Sequence, residues 1–274
     1  MSTDRRRILG PADAVRPVAA TPAPVAKSDK EPGSVRKFFV KTGLSKNANG
    51  SAYLEVGDTI IEVSVFGPRP IKGSFINRAT FSVETKFLPY VTQPNEVLFN
   101  GGSAQGNGRS GLTNIEQKMS TYVETAFLPA LLLEKYPKST IDVFVNVLSF
   151  NSTTCSMLNL ISWVVNCTSL AMVDSGIEIR DLVTAGHVNL RSSTNTAVVD
   201  ALITSEDDES AGTECVASFM AMQNNEMVAV LVQGNDGAGV CEDSLTLSVD
   251  ACQQMSTSVR KNLNGYLLEM AKQQ

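Results

Sequence analysis

Two residues, Gly57 and Asp58, are all that separates two runs of strand-forming residues at 51–56 and 59–66. A link that short joins only antiparallel neighbours, and Gly in its first position suits the turn such a hairpin needs. A shorter run at 38–41 precedes the pair, and another, at 78–87, follows a loop. Thr113-x-x-Glu116 then reads as a capping box, with Ile115, Met119, Tyr122 and Ala126 at helical spacing behind it. Pro129 kinks or restarts that helix. An alternating strand at 140–149 leads to an apolar helix at 156–173, ended by Gly176. Strands are expected near 182–190, 196–203, 214–222 and 226–233. The last helix has the clearest periodicity: Leu245, Val249, Cys252, Ser256, Val259, Leu263, Tyr266 and Met270. That stripe should pack on the chain's own sheet, and the whole order describes an α+β domain of two similar halves.

The 274 residues are 43% apolar, enough for a substantial core. No uninterrupted apolar run reaches the ~18–20 residues that cross a bilayer, and no apolar segment follows Met1–Gly10, so neither membrane nor secretory signal is expected. Five scattered Cys without a C-x-x-C pair, and a single His, argue against zinc and for buried thiols in a reducing compartment. The N-x-S/T sequons at Asn49, Asn151 and Asn166 carry no meaning there.

Charge is unevenly spread. Eleven carboxylates and no Lys or Arg lie between Arg191 and Arg260, although the net charge is only −5. A polyanion would therefore meet the N-terminal part of the chain. Residues 1–35 form a Pro/Ala-rich arm, expected to be disordered, that carries the basic tip Arg5, Arg6 and Arg7; residues 36–274 form the folded domain.

Three motifs yield to plainer readings. Gly106, Gly108 and Gly111 match G-x-G-x-x-G, but no buried strand leads into them, so the Gly-rich stretch at 100–111 is a flexible loop. Glu206, Asp207, Asp208 and Glu209 are consecutive and read as a solvated loop, not as carboxylates converging on two metals. His187 has neither a second His nor a nucleophile elbow to work with, and reads as a buried, hydrogen-bonded imidazole.

Several blocks, taken together, carry a resemblance. They are Asn49-Gly50-Ser51-Ala52, Glu55-x-Gly57-Asp58-Thr59, Val65-Phe66-Gly67-Pro68-Arg69, Tyr136-Pro137-Lys138-Ser139 and Ala171-x-x-Asp174-Ser175-Gly176, the last running on to Arg180-Asp181-Leu182-Val183. In order and spacing they resemble RNase PH-type domains. Asp4-Arg5-Arg6-Arg7-Ile8-Leu9-Gly10-Pro11 is similar to the N-terminus of a fungal member that sits in the ring of the eukaryotic RNA exosome core. The resemblance implies an RNase PH-like fold of two βαβα-type halves, with mixed sheets covered by helices.

Active members of that family cleave RNA from its 3′ end with inorganic phosphate, which demands Arg forks for the anion and a nearby carboxylate. Thr154 stands where the resemblance puts the phosphate-binding Arg, and of the first helix's basic residues only Lys118 remains. Glu214 lies close to the position of the catalytic Asp. These three are read as a degenerate former active site. The resemblance thus implies a non-catalytic scaffold, with no metal or cofactor, acting in nuclear, nucleolar and cytoplasmic RNA and rRNA processing. Its partners would be other RNase PH-like ring subunits, an RNA-binding cap subunit, single-stranded RNA in the channel and a separate catalytic nuclease. Arg69, Lys72 and Arg78 follow the family's Gly-Pro turn and are expected to face that channel. The isolated chain should then associate or aggregate. The alternatives are a working phosphorolytic exoribonuclease using Glu214 and Lys118, and a stand-alone RNA-binding module.

Overall fold

A computed structural model describes residues 33–73, 75–91, 114–191, 196–202, 212–234 and 242–273. The arm tip Arg5–Arg7, the Gly-rich loop, the acidic run and Cys241 lie outside these residues. Among the described residues, nine strands form two sheets. The first contains β1 (Phe39–Thr42), β2 (Gly50–Val56), β3 (Thr59–Pro70), β4 (Thr80–Phe87) and β5 (Ser139–Ser149), in the order β1-β2-β3-β5-β4. Only the β4–β5 pair is parallel. The second contains β6 (Val183–Arg191), β7 (Thr196–Val199), β8 (Thr213–Met220) and β9 (Glu226–Gln233), antiparallel throughout in the order β7-β6-β8-β9.

Three α-helices among the described residues complete the layers. α2 (Met157–Asp174) lies between the sheets, against β2 and β3 on one side and β6 and β8 on the other. α1 (Asn114–Phe127) packs on β4, β9 and α2, and α3 (Glu242–Gln273) covers β6, β8 and β7. Side chains from both sheets and all three helices share one apolar core.

The hairpin forms as its sequence dictates: Val56 pairs with Thr59 across a two-residue turn. β3 runs further than its alternation indicated, through a cis Gly67–Pro68 bond to Pro70. α1 ends at Phe127, two residues before Pro129, and only a 3-10 turn at Leu133–Lys135 follows. On α3, Val259 and Leu263 are fully buried, while Leu245 is 37% exposed, so the stripe begins to bury only after the first turn. Its one polar member, Ser256, hydrogen-bonds the Thr184 hydroxyl at 2.7 Å.

α2 corrects one expectation. At 18 residues it is long and apolar enough by composition to span a bilayer, yet it is the core helix. Its polar residues interrupt any purely apolar run and are satisfied inside the protein. Asn166 exchanges two hydrogen bonds with the Ala185 backbone, at 3.0 and 3.2 Å, and Ser169 donates to the Val183 carbonyl. Full burial of Asn166 also disposes of its sequon.

The quoted blocks turn out to be joints between layers. A Cβ on Gly50 would stand 2.3 Å from the Ser175 nitrogen and 2.4 Å from the Ala171 carbonyl, so the start of β2 meets the end of α2 only through glycine. Asp174 accepts from the Ser51 amide at 2.9 Å, and Asn49 from the Gly67 amide at 3.0 Å. Asp181 accepts from the Leu182 and Met222 amides, both at 2.7 Å, and from Arg260 of α3 at 2.5 Å. Gly186 has the same role as Gly50 in the second sheet, since its Cβ would lie 2.1 Å from the Cys252 carbonyl of α3.

α1 protects an edge. β4 is the last strand of its sheet, and its outward amides would otherwise invite pairing with another chain. Glu116, Ser120 and Glu124, one turn apart along α1, accept from the amides of Phe87, Thr85 and Val83, each at 2.9 Å. The Glu116 carboxylate thus serves β4; its expected capping partner, Thr113, lies outside the described residues.

Candidate functional site: the amino end of the central helix

The turn at 151–156 delivers the chain from β5 into α2. Asn151 organises it, its side-chain oxygen accepting from the Thr153 amide at 3.1 Å and hydroxyl at 2.7 Å. The Thr154 amide and hydroxyl both reach back to the Asn151 carbonyl, at 3.2 and 3.4 Å. At the position that the resemblance assigns to a phosphate-binding Arg, the chain has a hydroxyl folded into its own turn. Ser156 is the N-cap of α2, accepting from the Asn159 amide at 3.2 Å.

A cation does approach this end of α2, but from Arg36, 119 positions before Cys155. Its guanidinium gives Nε to Asp200 Oδ2 at 2.8 Å and Nη2 to Asp200 Oδ1 at 2.7 Å, and its backbone amide joins the same carboxylate at 3.0 Å. Nη2 also donates to Asn159 Oδ1 at 2.8 Å. Asp200 is fully buried and additionally accepts from Asn159 Nδ2 at 2.9 Å and Trp163 Nε1 at 3.3 Å. Burial works against the Arg36 charge, but the Asp200 contacts outweigh it, and the guanidinium is held above its ordinary value. The fork that could have gripped an anion is closed on an internal one.

His187 is the next member, wholly buried in β6 as its sequence context implied. Asn159 Nδ2 lies 3.2 Å from its Nδ1. Turning that amide over would point NH2 at Arg36, so Nδ1 accepts and the ring proton is assigned to Nε2. Nε2 faces Ser156 Oγ at 3.4 Å and the Glu214 carboxylate at 3.9 Å. Glu214 stands opposite Asn189 in the β6–β8 pairing and takes a 3.4 Å hydrogen bond from its amide. Burial would raise its carboxyl, but His187, Ser156 and Asn189 together bring it below the ordinary 4.5. It is an anion at neutral pH, unsuited to giving up a proton as a general acid.

The structure therefore joins the Thr154 turn to Glu214 through Ser156 and His187. Lys118 is exposed on α1 and belongs to none of these contacts around Glu214. Sequence reading found His187 and Glu214 but missed Arg36 and Asp200. The pair is 164 positions apart, and no local pattern marks it.

The cations after the Gly-Pro turn gather at one end of the first sheet. Arg69 of β3 and Thr80 of β4 both pair with Thr140 of β5, so the segments beyond them emerge side by side. The Ile71 amide donates to the Lys138 carbonyl at 3.1 Å and the Lys138 amide to the Ile76 carbonyl at 2.9 Å, pinning the connection between β3 and β4. Lys72, Arg78 and Lys138 are exposed. Arg69 is exposed too, but is ion-paired with Asp142 and lies 6.0 Å from the centre of the Phe66 ring. Burial tends to raise the Asp142 carboxyl; hydrogen bonds from Ser82, Arg69 and Thr140 win and lower it. Asp142 thus offsets one of the three expected cations.

The profile of the RNase PH family (3′ exoribonuclease family, domain 1) matches residues 34–178, more than half of the chain. The chain belongs to the RNase PH family. The match spans the hairpin, the Gly-Pro turn, both strands of the parallel pair and all of α2. Exosome complex component mtr3 of Schizosaccharomyces pombe is 31% identical over 221 residues, covering 80% of each chain. Exosome complex component Rrp41 of Nitrosopumilus maritimus is 29% identical over 233 residues, covering 84% of this chain and 86% of the relative. Among solved structures, rice (Oryza sativa) Rrp46 superposes with a TM-score of 0.68 over 88% of this chain and 98% of its own. At 18% identity that likeness establishes the fold, the RNase PH-like α+β arrangement read from the sequence. The likeness to a fungal exosome subunit is thus upheld by the S. pombe relative.

Proposed function

We propose that this RNase PH family member is a non-catalytic structural subunit of the hexameric ring of the RNA exosome, supporting 3′-to-5′ RNA processing and degradation. The observation that carries the reading is the Arg36–Asp200 pair. Phosphorolysis needs a free guanidinium for inorganic phosphate, and the fork at the amino end of α2 is spent on a buried carboxylate. Thr154 offers no charge, and the lowered Glu214 carboxyl works against an arriving phosphate.

The relatives are named as exosome complex components, which supports assembly with other exosome subunits; in this reading those are other RNase PH-like subunits around a ring, an RNA-binding cap subunit above it, and a separate nuclease that cuts. In this reading the chain works in the nucleus and nucleolus and in the cytoplasm. Residues 1–35 form an arm whose Arg5, Arg6 and Arg7 meet a partner or RNA. Lys72 and Arg78, with Arg69 partly offset by Asp142, face single-stranded RNA in the channel, where phosphate contacts are independent of sequence.

The test is a reconstituted assembly carrying Arg69→Glu and Lys72→Glu together. Nuclease protection of threaded RNA should shorten while the subunits still co-purify. Unchanged protection counts against the channel assignment. A working phosphorolytic enzyme is the opposing reading; it rests on Glu214 and Lys118, with further cations borrowed across a subunit interface.

A further inference from the structure

The connection between β3 and β4 holds a feature that positive charge does not account for. Phe75 is 69% exposed and Ile76 beside it 42% exposed, in a segment with Lys72 before it and Arg78 after it. Water disfavours an apolar pair so placed, whereas Phe66 and Phe39 of this sheet each rest against another ring. Phe66 lies edge-on to Phe144, and Phe39 to Tyr53. Phe75 has no such ring partner among the described residues.

Nor is its position loose. The segment is tied to Lys138 through the Ile71 and Ile76 backbones, and the Ala79 amide donates to the Leu133 carbonyl at 2.9 Å. Lys138 has a left-handed backbone (φ 54°) and itself presents an exposed ammonium at this end of the sheet. An exposed ring thus sits on the segment that carries Lys72 and Arg78 and is tied to Lys138, three cations with no ion pair among the described residues.

We propose that Phe75 is a stacking platform for an unpaired RNA base, with Lys72, Arg78 and Lys138 holding the flanking phosphates. Cations alone attract any polyanion, duplex included; an exposed ring adds selectivity for single strands, whose bases are free to stack. The charge complementarity favours RNA over an apolar protein partner, which the three exposed cations of this connection and of Lys138 would disfavour. The inference rests on the reading of the basic connection as an RNA surface, but adds a residue and a discrimination that charge does not supply.

The chain offers its own reporter. Its single Trp, Trp163, is fully buried and donates to Asp200. In the full chain, Phe75→Trp adds one surface indole whose fluorescence a stacked base quenches. The probes are a single-stranded oligouridylate, the same strand annealed to its complement, and inorganic polyphosphate, which has charge but no bases. The expected result is quenching of Phe75→Trp by the single strand and none by polyphosphate. Phe75→Ala should weaken single-strand binding about 10- to 100-fold, leaving duplex binding and the salt slope unchanged. If Lys72→Glu with Arg78→Glu abolishes binding while Phe75→Ala changes nothing and Phe75→Trp is not quenched, the platform is wrong and the basic surface stands. If neither set alters binding, both readings fall. If Phe75→Ala releases the chain from its assembly at unchanged RNA affinity, the ring is a protein contact and the proposal is overturned.

Discussion

Arg36 and Asp200 form a two-pronged ion pair, Nε to Oδ2 at 2.8 Å and Nη2 to Oδ1 at 2.7 Å, that ties the start of the folded chain to the end of β7. It satisfies a nearly buried guanidinium and closes that fork beside the amino end of α2. Structural anchoring and the closing of that guanidinium are therefore the same contact.

Removing one partner leaves the other charge buried and unpaired. Asp200→Ala should cost about 3–5 kcal/mol, a fall in Tm of about 10 °C for a chain of this size. Calorimetry on the variant measures it, and a change under 1 °C would show the pair to be dispensable.

The edge of β4 gives a second test. Ser120→Ala removes the acceptor of the buried Thr85 amide without changing the helix's apolar face. An unpaired buried donor costs about 1–3 kcal/mol. Hydrogen exchange should speed up at Thr85 more than at Val83 or Phe87, whose glutamate acceptors remain. Uniform exchange across β4 would contradict this account.

Much of the layout was legible because burial writes its period into the sequence. The 51–66 hairpin, the alternation of β5 and the four-and-three spacing of α3 are all one-face patterns, and each formed where expected. The parallel β4–β5 pairing was not legible, since the pair is bridged by α1 and a long connection and no local signal names its register. The same holds for the site. His187 and Glu214 were visible as single ionisable residues in strands, but Arg36, Asn159 and Asp200 meet only through tertiary structure. Nor could a list of basic residues reveal that Asp142 answers Arg69 from the neighbouring strand.

That last contact makes a prediction of its own. Asp142→Asn should free Arg69 and strengthen RNA binding a few-fold at low salt, while Lys72→Ala should flatten the salt dependence more than Arg69→Ala does. Titrations at several salt concentrations decide it; weaker binding by Asp142→Asn would reverse the assigned roles.

Acid stability follows from Glu214. Its carboxyl is lowered in the folded protein, so the contribution is complete above the ordinary 4.5 and is lost as pH falls through the lower folded value. Glu214→Gln should flatten the decline in unfolding free energy below about pH 4.5 and leave its slope at neutral pH unchanged. Urea melts across that range provide the comparison.

The central claim is that no inorganic phosphate is gripped beside Thr154. The most direct measurement incubates the purified chain with single-stranded RNA and phosphate, alongside Glu214→Ala, and assays nucleoside diphosphates. The account predicts no release above the enzyme-free blank from either protein. Release by the natural chain that disappears in Glu214→Ala would contradict it.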